Sequence, residues 1–433
     1  MTTNPSALAN PHPLIGQRIV KMREGLGWKR TELAKATGLH RNTLDNYEQG
    51  KTDPGAMDLL RIARALGCAV TDLLRDDGQG GAIRFAFRAH ALLKRDIPLM
   101  SRASQLVRAY HEIEQITGAE LPATMRKFPV PEGGHTLQSI RTMADMFRKQ
   151  SDWADTSPAN IAGILEGLGV RVVFLASDVC GLEGLSAIHG DKPFVLLRDR
   201  SREKKLVERT IFSAAHELGH LVLHPWLFQD APPATQEDDA AQGAKGRLWE
   251  KEANTFAGHF LVPADELHQI WFGEKLGGLP LFDALLILKR VFPVSFHCLH
   301  HRVKEDNLRR PAVSVPVFLN QIKTRLGIHG KARMEDLEPA PLPPAFLNTT
   351  NRFSRLVHRA FVREEIGVGK VAELFQVPLE DAKKITARWM RPAVEELEQE
   401  NGPAQDQADW LEDPVSGIQP WKGGTGPCLI HAP

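Results

Sequence analysis

The pattern of apolar and polar positions divides the chain into a helical start, a mixed middle and a helical end. From Leu14 to Leu74, short amphipathic runs are broken at GLGWK, TGLHR, EQGKTDPG and ALGCAV, which predicts about five short helices. VRVVFL and KPFVLLR are short β-branched runs, so each predicts a strand. Helical periodicity resumes through AAHELGHLVLH and continues to about residue 330, and a last helical pair follows between about 350 and 398. We therefore expect a mainly α protein with a small β-sheet, an α+β fold.

Changes in composition predict where the parts of the chain begin and end. DDGQGGA has the composition of a linker, EPAPLPPAF is a Pro-rich break, and the tail after Asn401 has a composition typical of disorder. A polar loop, QDAPPATQEDDAAQGAKG, precedes a helix that is predicted to start near Trp249. The expected parts are a five-helix domain at 14–75, a linker and helical segment at 76–135, a mixed domain at 136–310, a C-terminal helical domain at 311–400 and a disordered tail at 401–433.

The first helical segment carries a pattern typical of a helix-turn-helix. Leu33 and Ala34 are predicted to face inward on one helix and Leu44 and Tyr47 on the next, with Gly38 at the tight turn between them. Such a turn leaves the outward face of the second helix free to enter the major groove of double-stranded DNA. The alternative is a helical domain used only for dimerisation or protein docking.

Polar side chains occupy the positions from which such a helix reads DNA. The segment 14–75 has 11 Lys and Arg against 7 Asp and Glu, a modest basic excess that agrees with DNA binding. Side chains on the outward face can reach base edges, and basic residues at the start of the preceding helix can contact phosphates. The predicted base contacts are Arg41, Asn42, Thr43 and Asn46, and the predicted phosphate contacts are Lys29 and Arg30.

The composition of the whole chain narrows the class of protein. A net charge of +1 over 433 residues, with 42% hydrophobic and 25% charged residues, indicates a globular protein without a global preference for nucleic acid or membrane. The four cysteines are scattered without a C-x-x-C pair, so the sequence predicts neither a disulfide framework nor a zinc knuckle. There is no signal-peptide pattern and no apolar run approaching the ~20 residues of a membrane span. We expect a cytoplasmic protein with reduced thiols and no membrane association.

The stretch AAHELGHLVLH suggests a metal site on a helix. His216 and His220 are four residues apart, so they share one face and can offer both imidazoles to one ion. Glu217 lies beside that face and can act as general base on a metal-bound water. The spacing alone is also compatible with two hydrogen-bonded histidines on a core helix, so a third ligand is needed to support zinc.

WEKEANTFAGHFLVP supplies that third ligand. On one helical face Glu250 is joined by Ala253, Asn254 and Ala257, and the two alanines would let this helix pack closely against the motif helix. Asn254 could then hydrogen-bond a ligand histidine on its other nitrogen. Glu250 is therefore the predicted third ligand, and Glu252, which points to another side of the helix, is the alternative.

With these residues in place, the chain resembles a known combination of families. The spacing, the turn glycine, YEQGKTDP and IARALG resemble the Xre/Cro-type helix-turn-helix family, although Lys29 and Arg30 replace its usual helix start. GLEGLSAIHGDKPFVLLRD, RTIFSAAHELGHLVLH, EKEANTFAGHFLVP and FPVSFHCLHHRV resemble the ImmA/IrrE-type metallopeptidases. The resemblance implies a lambda-repressor-like DNA-binding domain, usually dimeric, and a gluzincin-like fold in which two histidines and a glutamate hold Zn²⁺.

Several other features receive a less specific prediction. His224 lies off the face shared by His216 and His220, so a supporting or structural role is expected rather than metal binding. HCLHH is expected to lie on a partly buried helix, and Cys180 receives no role. VGKVAELFQVPLEDAKK looks like a second small helix-turn-helix, without predicted DNA contacts.

The strand KPFVLLR has two interpretations. It could be the sheet edge beside the motif helix, where an extended peptide binds by strand addition. It could equally be an ordinary sheet strand.

Two functions follow from these features. One, which the resemblance implies, is a transcriptional regulator with a zinc endopeptidase domain that cleaves a partner repressor in a stress, DNA-damage, mobile-element or toxin–antitoxin response. The alternative is a non-proteolytic regulator in which the zinc domain is a sensor or scaffold.

Overall fold

The computed structural model describes a mainly helical chain with one four-stranded sheet, which confirms the predicted α+β class. Contacts group Met1–Gln376 into one compact unit and Val377–Pro433 into a second. The predicted linker at 76–82, Cys180 and the predicted tail at 401–433 lie outside the described residues. Those described are 12–68, 70–74, 83–86, 97–122, 125, 135–151, 160–175, 183–198, 207–228, 239–309, 313–328 and 352–390.

Within that part of the chain, no helix combines the length and apolar character that crossing a membrane requires.

Five short helices form the N-terminal module. Leu33 and Leu44 are fully buried between them, and the Tyr47 hydroxyl donates a hydrogen bond to Asp58 at 2.8 Å. Gly38 adopts the left-handed conformation (φ 70°) that the turn between the second and third helices requires. The helices are α1 (His12–Gly25), α2 (Arg30–Thr37), α3 (Arg41–Glu48), α4 (Ala56–Leu66) and α5 (Val70–Leu74).

A buried ion cluster fixes α3 relative to its neighbours. The Glu48 carboxylate accepts from Arg23 Nε on α1 at 2.6 Å and from Arg30 Nε on α2 at 2.9 Å. A second contact joins Arg30 Nη1 to Asp45 at 2.7 Å. Because the Glu48 side chain is 1% exposed, these hydrogen bonds are needed to offset its loss of hydration. Arg30 therefore ties α2 to the predicted recognition helix.

Helix α6 (Ile97–Thr117) joins the N-terminal module to the rest of the first unit. It packs against α4, where the Ser101 hydroxyl donates to the Arg64 carbonyl at 2.7 Å. Its other end carries Glu114, a fully buried carboxylate that pairs with Arg171 at 2.8 Å and with Arg352 at 2.8 Å. One helix thus contacts the N-terminal module, the sheet and the C-terminal helices.

The sheet has the strand order β1-β3-β4-β2. The strands β3 and β4 form an antiparallel hairpin that turns at Gly190 (φ 65°), β2 runs parallel to β4, and β1 pairs antiparallel with β3. The register places Ile83 opposite His189 and Phe85 opposite Ala187. The strands are β1 (Ile83–Phe85), β2 (Arg171–Leu175), β3 (Gly184–His189) and β4 (Lys192–Arg198).

Of the two interpretations of KPFVLLR, the sheet edge is wrong and the ordinary sheet strand is confirmed. This strand is β4, and it lies between β3 and β2 with pairing on both sides. The strand β3, which the apolar runs did not mark, accounts for the difference, because it pairs with β4 on the side opposite β2. The turn at Gly190–Asp191 was a sequence signal for the β3–β4 hairpin, since Gly-Asp is a typical two-residue turn.

A set of helices surrounds the sheet and forms most of the core. Helix α10 begins ten residues earlier than Trp249, where its start was predicted, because the Ala-rich end of the polar stretch is itself helical. HCLHH lies on α13 with Cys298 and His300 buried and His297 and His301 exposed, as predicted. The helices are α7 (Leu137–Gln150), α8 (Ile161–Gly167), α9 (Val207–Leu223), α10 (Asp239–Leu261), α11 (Ala264–Gly273), α12 (Leu281–Val291), α13 (Phe296–Glu305) and α14 (Val315–Arg325).

Within residues 352–390 there are three helices instead of the predicted pair: α15 (Arg352–Val362), α16 (Val368–Phe375) and α17 (Leu379–Trp389). The first two pack against α6. The Phe353 ring on α15 stacks on Tyr110 of α6, with the ring centroids 5.4 Å apart. The helix α17 belongs to the second unit.

Candidate metal centre and DNA-binding face

Close packing of α9 against α10 builds the candidate metal centre. Gly219 on α9 faces Ala253 on α10, and a Cβ atom at Gly219 would lie 3.2 Å from the Ala253 Cα and carbonyl oxygen. It would also lie 3.3 Å from the Phe256 Cβ. The small residues at this crossing let the two backbones approach at a distance that a larger side chain would prevent.

Three side chains converge across this crossing: His216, His220 and Glu250. The two Nε2 atoms of the histidines lie 3.1 Å apart. The Glu250 carboxylate oxygens lie 3.3 Å from the Nε2 of His216 and 3.6 Å from that of His220. Ligands bound to one zinc ion at ~2.0–2.1 Å in tetrahedral geometry are themselves about 3.3 Å apart. The donor types and their separations therefore fit a zinc ion.

The alternative glutamate has a different partner. Glu252 Oε2 lies 2.9 Å from Nε2 of His224, and Glu252 is 7% exposed. The Glu252 carboxylate therefore binds His224, which is not one of the three converging side chains. The geometry favours Glu250 over Glu252 as the third ligand.

Each histidine of the group is held through its other ring nitrogen. His216 Nδ1 donates to Asn254 Oδ1 at 2.9 Å, in the arrangement expected for Asn254. His220 Nδ1 lies 3.0 Å from His224 Nδ1. These contacts direct both Nε2 atoms toward Glu250 and leave them as lone-pair donors. The role of His224 agrees with the expectation that it supports the site, but its contact with Glu252 was not predicted.

Burial sets the charge state of the buried histidines. Desolvation lowers the pKa of His220 to about 4, because His220 is fully buried and its cation would lose hydration. Burial likewise lowers the pKa of His224, against the opposing effect of Glu252. His220 is therefore neutral at neutral pH, the form that binds a metal ion. The side chain of Glu250 is 31% exposed, so the group reaches solvent on its side.

The candidate general base lies between the metal group and the sheet. The Glu217 residue is 1% exposed, and its side chain lies against Gly184, the first residue of β3. A Cβ atom at Gly184 would approach Glu217 Cγ to 2.8 Å, so any other residue there would displace the carboxylate. The sequence motif GLEGLS contained this glycine, but spacing alone did not reveal its contact with Glu217.

The predicted DNA contacts are mostly accessible. Lys29, just before α2, is exposed. On α3, Arg41 and Asn42 are exposed, while Thr43 and Asn46 are half-buried. The half-buried Arg30 differs, because its guanidinium contacts Asp45 and Glu48. The outward face of α3 is therefore available, and Arg30 supports that helix from behind.

Comparison with known families gives two matches. Residues 19–73 match the family model described as "Helix-turn-helix" (HTH_3), which spans α2 and α3. Residues 165–304 match "IrrE N-terminal-like domain" (Peptidase_M78), which contains the sheet strands β2 to β4 and the His216–Glu250 group. The resemblance to an Xre-type module joined to an ImmA/IrrE-like domain is confirmed. No curated protein and no solved structure matches the chain. The matches indicate a DNA-binding regulator with a domain of a metallopeptidase family.

Gly219→Val should weaken metal binding by separating α9 from α10. The added side chain meets Ala253 backbone atoms that cannot rotate away, so Glu250 should move from the two histidines. We expect the Kd for zinc, measured by competition with a chromophoric chelator, to rise about tenfold or more, as for other losses of ligand support.

Gly273→Val is the matched control, since no atom lies within 4 Å of a Cβ at that position. Its zinc Kd should equal that of the unaltered protein. An unchanged Kd in Gly219→Val, with the helix content retained by circular dichroism, would show that the crossing does not position Glu250.

Proposed function

We propose that this chain is a cytoplasmic DNA-binding transcriptional regulator whose second domain is a zinc-dependent endopeptidase. The observation that carries the proposal is the convergence of His216, His220 and Glu250 beside the buried Glu217. A structural zinc site would need only ligands, whereas this group has a carboxylate next to it and an open side at Glu250. The family match to residues 165–304 points in the same direction.

The roles of the residues follow from their positions. Zinc, when bound, supplies Lewis acidity and lowers the pKa of a coordinated water to roughly 7. His216, His220 and Glu250 would hold the ion, and Asn254 would keep the His216 ring in the binding tautomer. Glu217 would accept the proton of the attacking water and pass it to the leaving amine. The two tyrosines of the chain, Tyr47 and Tyr110, lie on α3 and α6 and not on the helices of the metal centre. A backbone N–H or a histidine would therefore stabilise the developing oxyanion.

The substrate class follows from joining the two modules. A helix-turn-helix concentrates the chain at an operator in double-stranded DNA, where the proteins within reach are other regulators. We propose that the substrate is a partner repressor or a related regulatory protein, cleaved in a stress, DNA-damage, mobile-element or toxin–antitoxin response. A homodimer would match a two-fold symmetric operator.

Glu217→Gln should abolish peptide hydrolysis while zinc binding is retained. The amide keeps the shape of the side chain beside Gly184 but cannot accept a proton, which costs at least ~10²–10⁴-fold in rate. The measurement is cleavage of candidate repressor proteins, followed by mass spectrometry, with the zinc content determined in parallel.

The control is Glu208→Gln on the same helix, whose carboxylate binds Lys289 and should leave the rate unchanged. Two results would contradict the peptidase proposal. One is equal cleavage by Glu217→Gln. The other is DNA-dependent regulation without cleavage by the zinc-loaded protein, which would favour the sensor or scaffold function.

Arg41→Ala should weaken binding to a DNA duplex selected from a random library. Arg41 is exposed on the outward face of α3, and loss of one base contact costs ~1–3 kcal/mol and relaxes the sequence preference at one position. Lys29→Ala should instead weaken binding to all duplexes alike and reduce the salt dependence, because a phosphate contact carries no sequence information.

Both variants are compared by fluorescence anisotropy at several salt concentrations. Arg363→Ala, which removes an exposed guanidinium just after helix α15, should bind as the unaltered protein does. Equal affinities for Arg41→Ala and Arg363→Ala would contradict the assignment of α3 as the reading helix.

A further inference from the structure

Two side chains outside the candidate metal centre, His224 and Glu252, support His220 through hydrogen bonds. His220 Nδ1 contacts His224 Nδ1 at 3.0 Å, and His224 Nε2 contacts Glu252 Oε2 at 2.9 Å. Both histidines are fully buried and Glu252 is 7% exposed. These side chains therefore form a continuous hydrogen-bonded row that runs from Glu252 through His224 to His220, one of the candidate metal ligands.

The protons of this row have one consistent arrangement when His220 binds a metal ion through Nε2. His220 then carries its proton on Nδ1 and donates it to His224 Nδ1. His224 in turn carries its proton on Nε2 and donates to the Glu252 carboxylate. A rotation of either ring would replace a nitrogen with a carbon at these contacts, so it would break at least one of the hydrogen bonds.

Aromatic packing keeps His224 in this orientation. The Trp226 ring lies edge-on to His224 with the centroids 5.3 Å apart, and Trp249 lies 6.3 Å away on α10. His135 stacks on Trp226 and contacts the Leu223 carbonyl at 2.7 Å. These apolar surfaces exclude water, so the row cannot exchange its hydrogen bonds for solvent.

We propose that His224 and Glu252 are positioning residues, which fix the ring and tautomer of His220 and thereby strengthen zinc binding. The inference rests on the proposed metal site, yet it concerns the affinity for the ion and not the cleavage step. It gives a role to His224 and Glu252, neither of which is a candidate metal ligand.

The test is the zinc Kd of purified full-length variants, measured with a chromophoric chelator. His224→Phe keeps a ring in the same pocket but removes both hydrogen bonds, and Glu252→Gln weakens the outer one. We expect the Kd to rise ~10–100-fold in His224→Phe and by a smaller factor in Glu252→Gln. His224→Gln should recover most of the affinity, because its amide can accept from His220 and donate to Glu252.

His300→Phe is the control, since it removes a buried ring nitrogen on α13 that contacts the Val313 carbonyl and not a candidate ligand residue. Its Kd should be unchanged. Normal zinc affinity in folded His224→Phe and Glu252→Gln would overturn the positioning role alone. An unaltered protein that binds no zinc would overturn the proposed function together with this inference. If His224→Phe does not fold, the zinc Kd of Glu252→Gln decides the question.

A separate observation concerns the edge of the sheet beside Glu217. Strand β1 pairs antiparallel with the Ala187–His189 half of β3, and the Ala86 N–H donates to the Ser186 carbonyl at 3.0 Å. Ile83 and Phe85 are each 3% exposed, and Ala86 is fully buried. This short strand is therefore an integral part of the sheet.

The position of β1 limits what else can pair with β3. Gly184, at the other end of β3, touches Glu217 and lies two residues from Ser186, or about 7 Å at the usual rise of a strand. An extended peptide binds a sheet edge through main-chain groups that have no strand beside them. From Ser186 to His189, the main-chain groups on this side of β3 are already paired with β1 and cannot bind a peptide.

The geometry points to β1 as a resident strand that an extended protein segment must displace in order to bind along β3. Because β1 also contacts α1 of the DNA-binding module, movement of that module would be transmitted to the edge beside Glu217. This inference does not depend on zinc or on hydrolysis.

Ala86→Pro tests this inference, because proline removes the N–H that donates to Ser186. The probe is a fluorescein-labelled peptide with the sequence AIRFAF, and its binding to the full-length protein is measured by anisotropy. We expect Ala86→Pro to bind the peptide roughly tenfold more tightly than the unaltered protein does. Ala86→Ser, which keeps the N–H, should behave as the unaltered protein.

Equal peptide affinity in Ala86→Pro and the unaltered protein would overturn the inference. If Ala86→Pro is unfolded by circular dichroism, Phe85→Ala replaces it, since that change loosens β1 by removing a buried ring without a proline.

Discussion

The backbone contact between α9 and α10 is the interaction on which the candidate site depends. Gly219 and Ala253 allow the approach, and the approach brings Glu250 to His216 and His220 from a helix that follows a long polar segment. At the same crossing, Asn254 contacts His216. Glu252 contacts His224, which in turn contacts His220. Ligands and their supports thus come from one packing arrangement, and a change in it would affect all of them together.

A second constraint connects this site with the DNA-binding module. The helix α6 packs on α4 at one end and buries Glu114 between Arg171 and Arg352 at the other. Breaking such a pair leaves a buried charge without compensation, which commonly costs about 3–5 kcal/mol. The contact of α1 with β1 adds a second connection between the two modules. The module that reads DNA is therefore packed onto the peptidase-like domain rather than attached by a linker alone.

The features that were predicted from the sequence are those encoded at short range. His216, Glu217 and His220 follow from helical spacing, and the buried Leu33 and Leu44 follow from the turn between them. Non-local pairing explains what was missed. The strand β1 has three residues, too few for a periodic signal, and its partner is about a hundred residues away. Likewise, the sequence does not show whether Arg30 contacts DNA or Glu48. That choice requires the packing of α1, α2 and α3 around Glu48.

The Glu114 cluster also sets an order of assembly during synthesis. The five helices of the N-terminal module make contacts among neighbours in sequence, so they can fold as soon as they leave the ribosome. Glu114 meets Arg171 across 57 residues and Arg352 across 238, and its second partner emerges only after the whole peptidase-like domain has been made. In a nascent chain the helix-turn-helix domain is therefore complete well before the peptidase-like domain has both partners of Glu114.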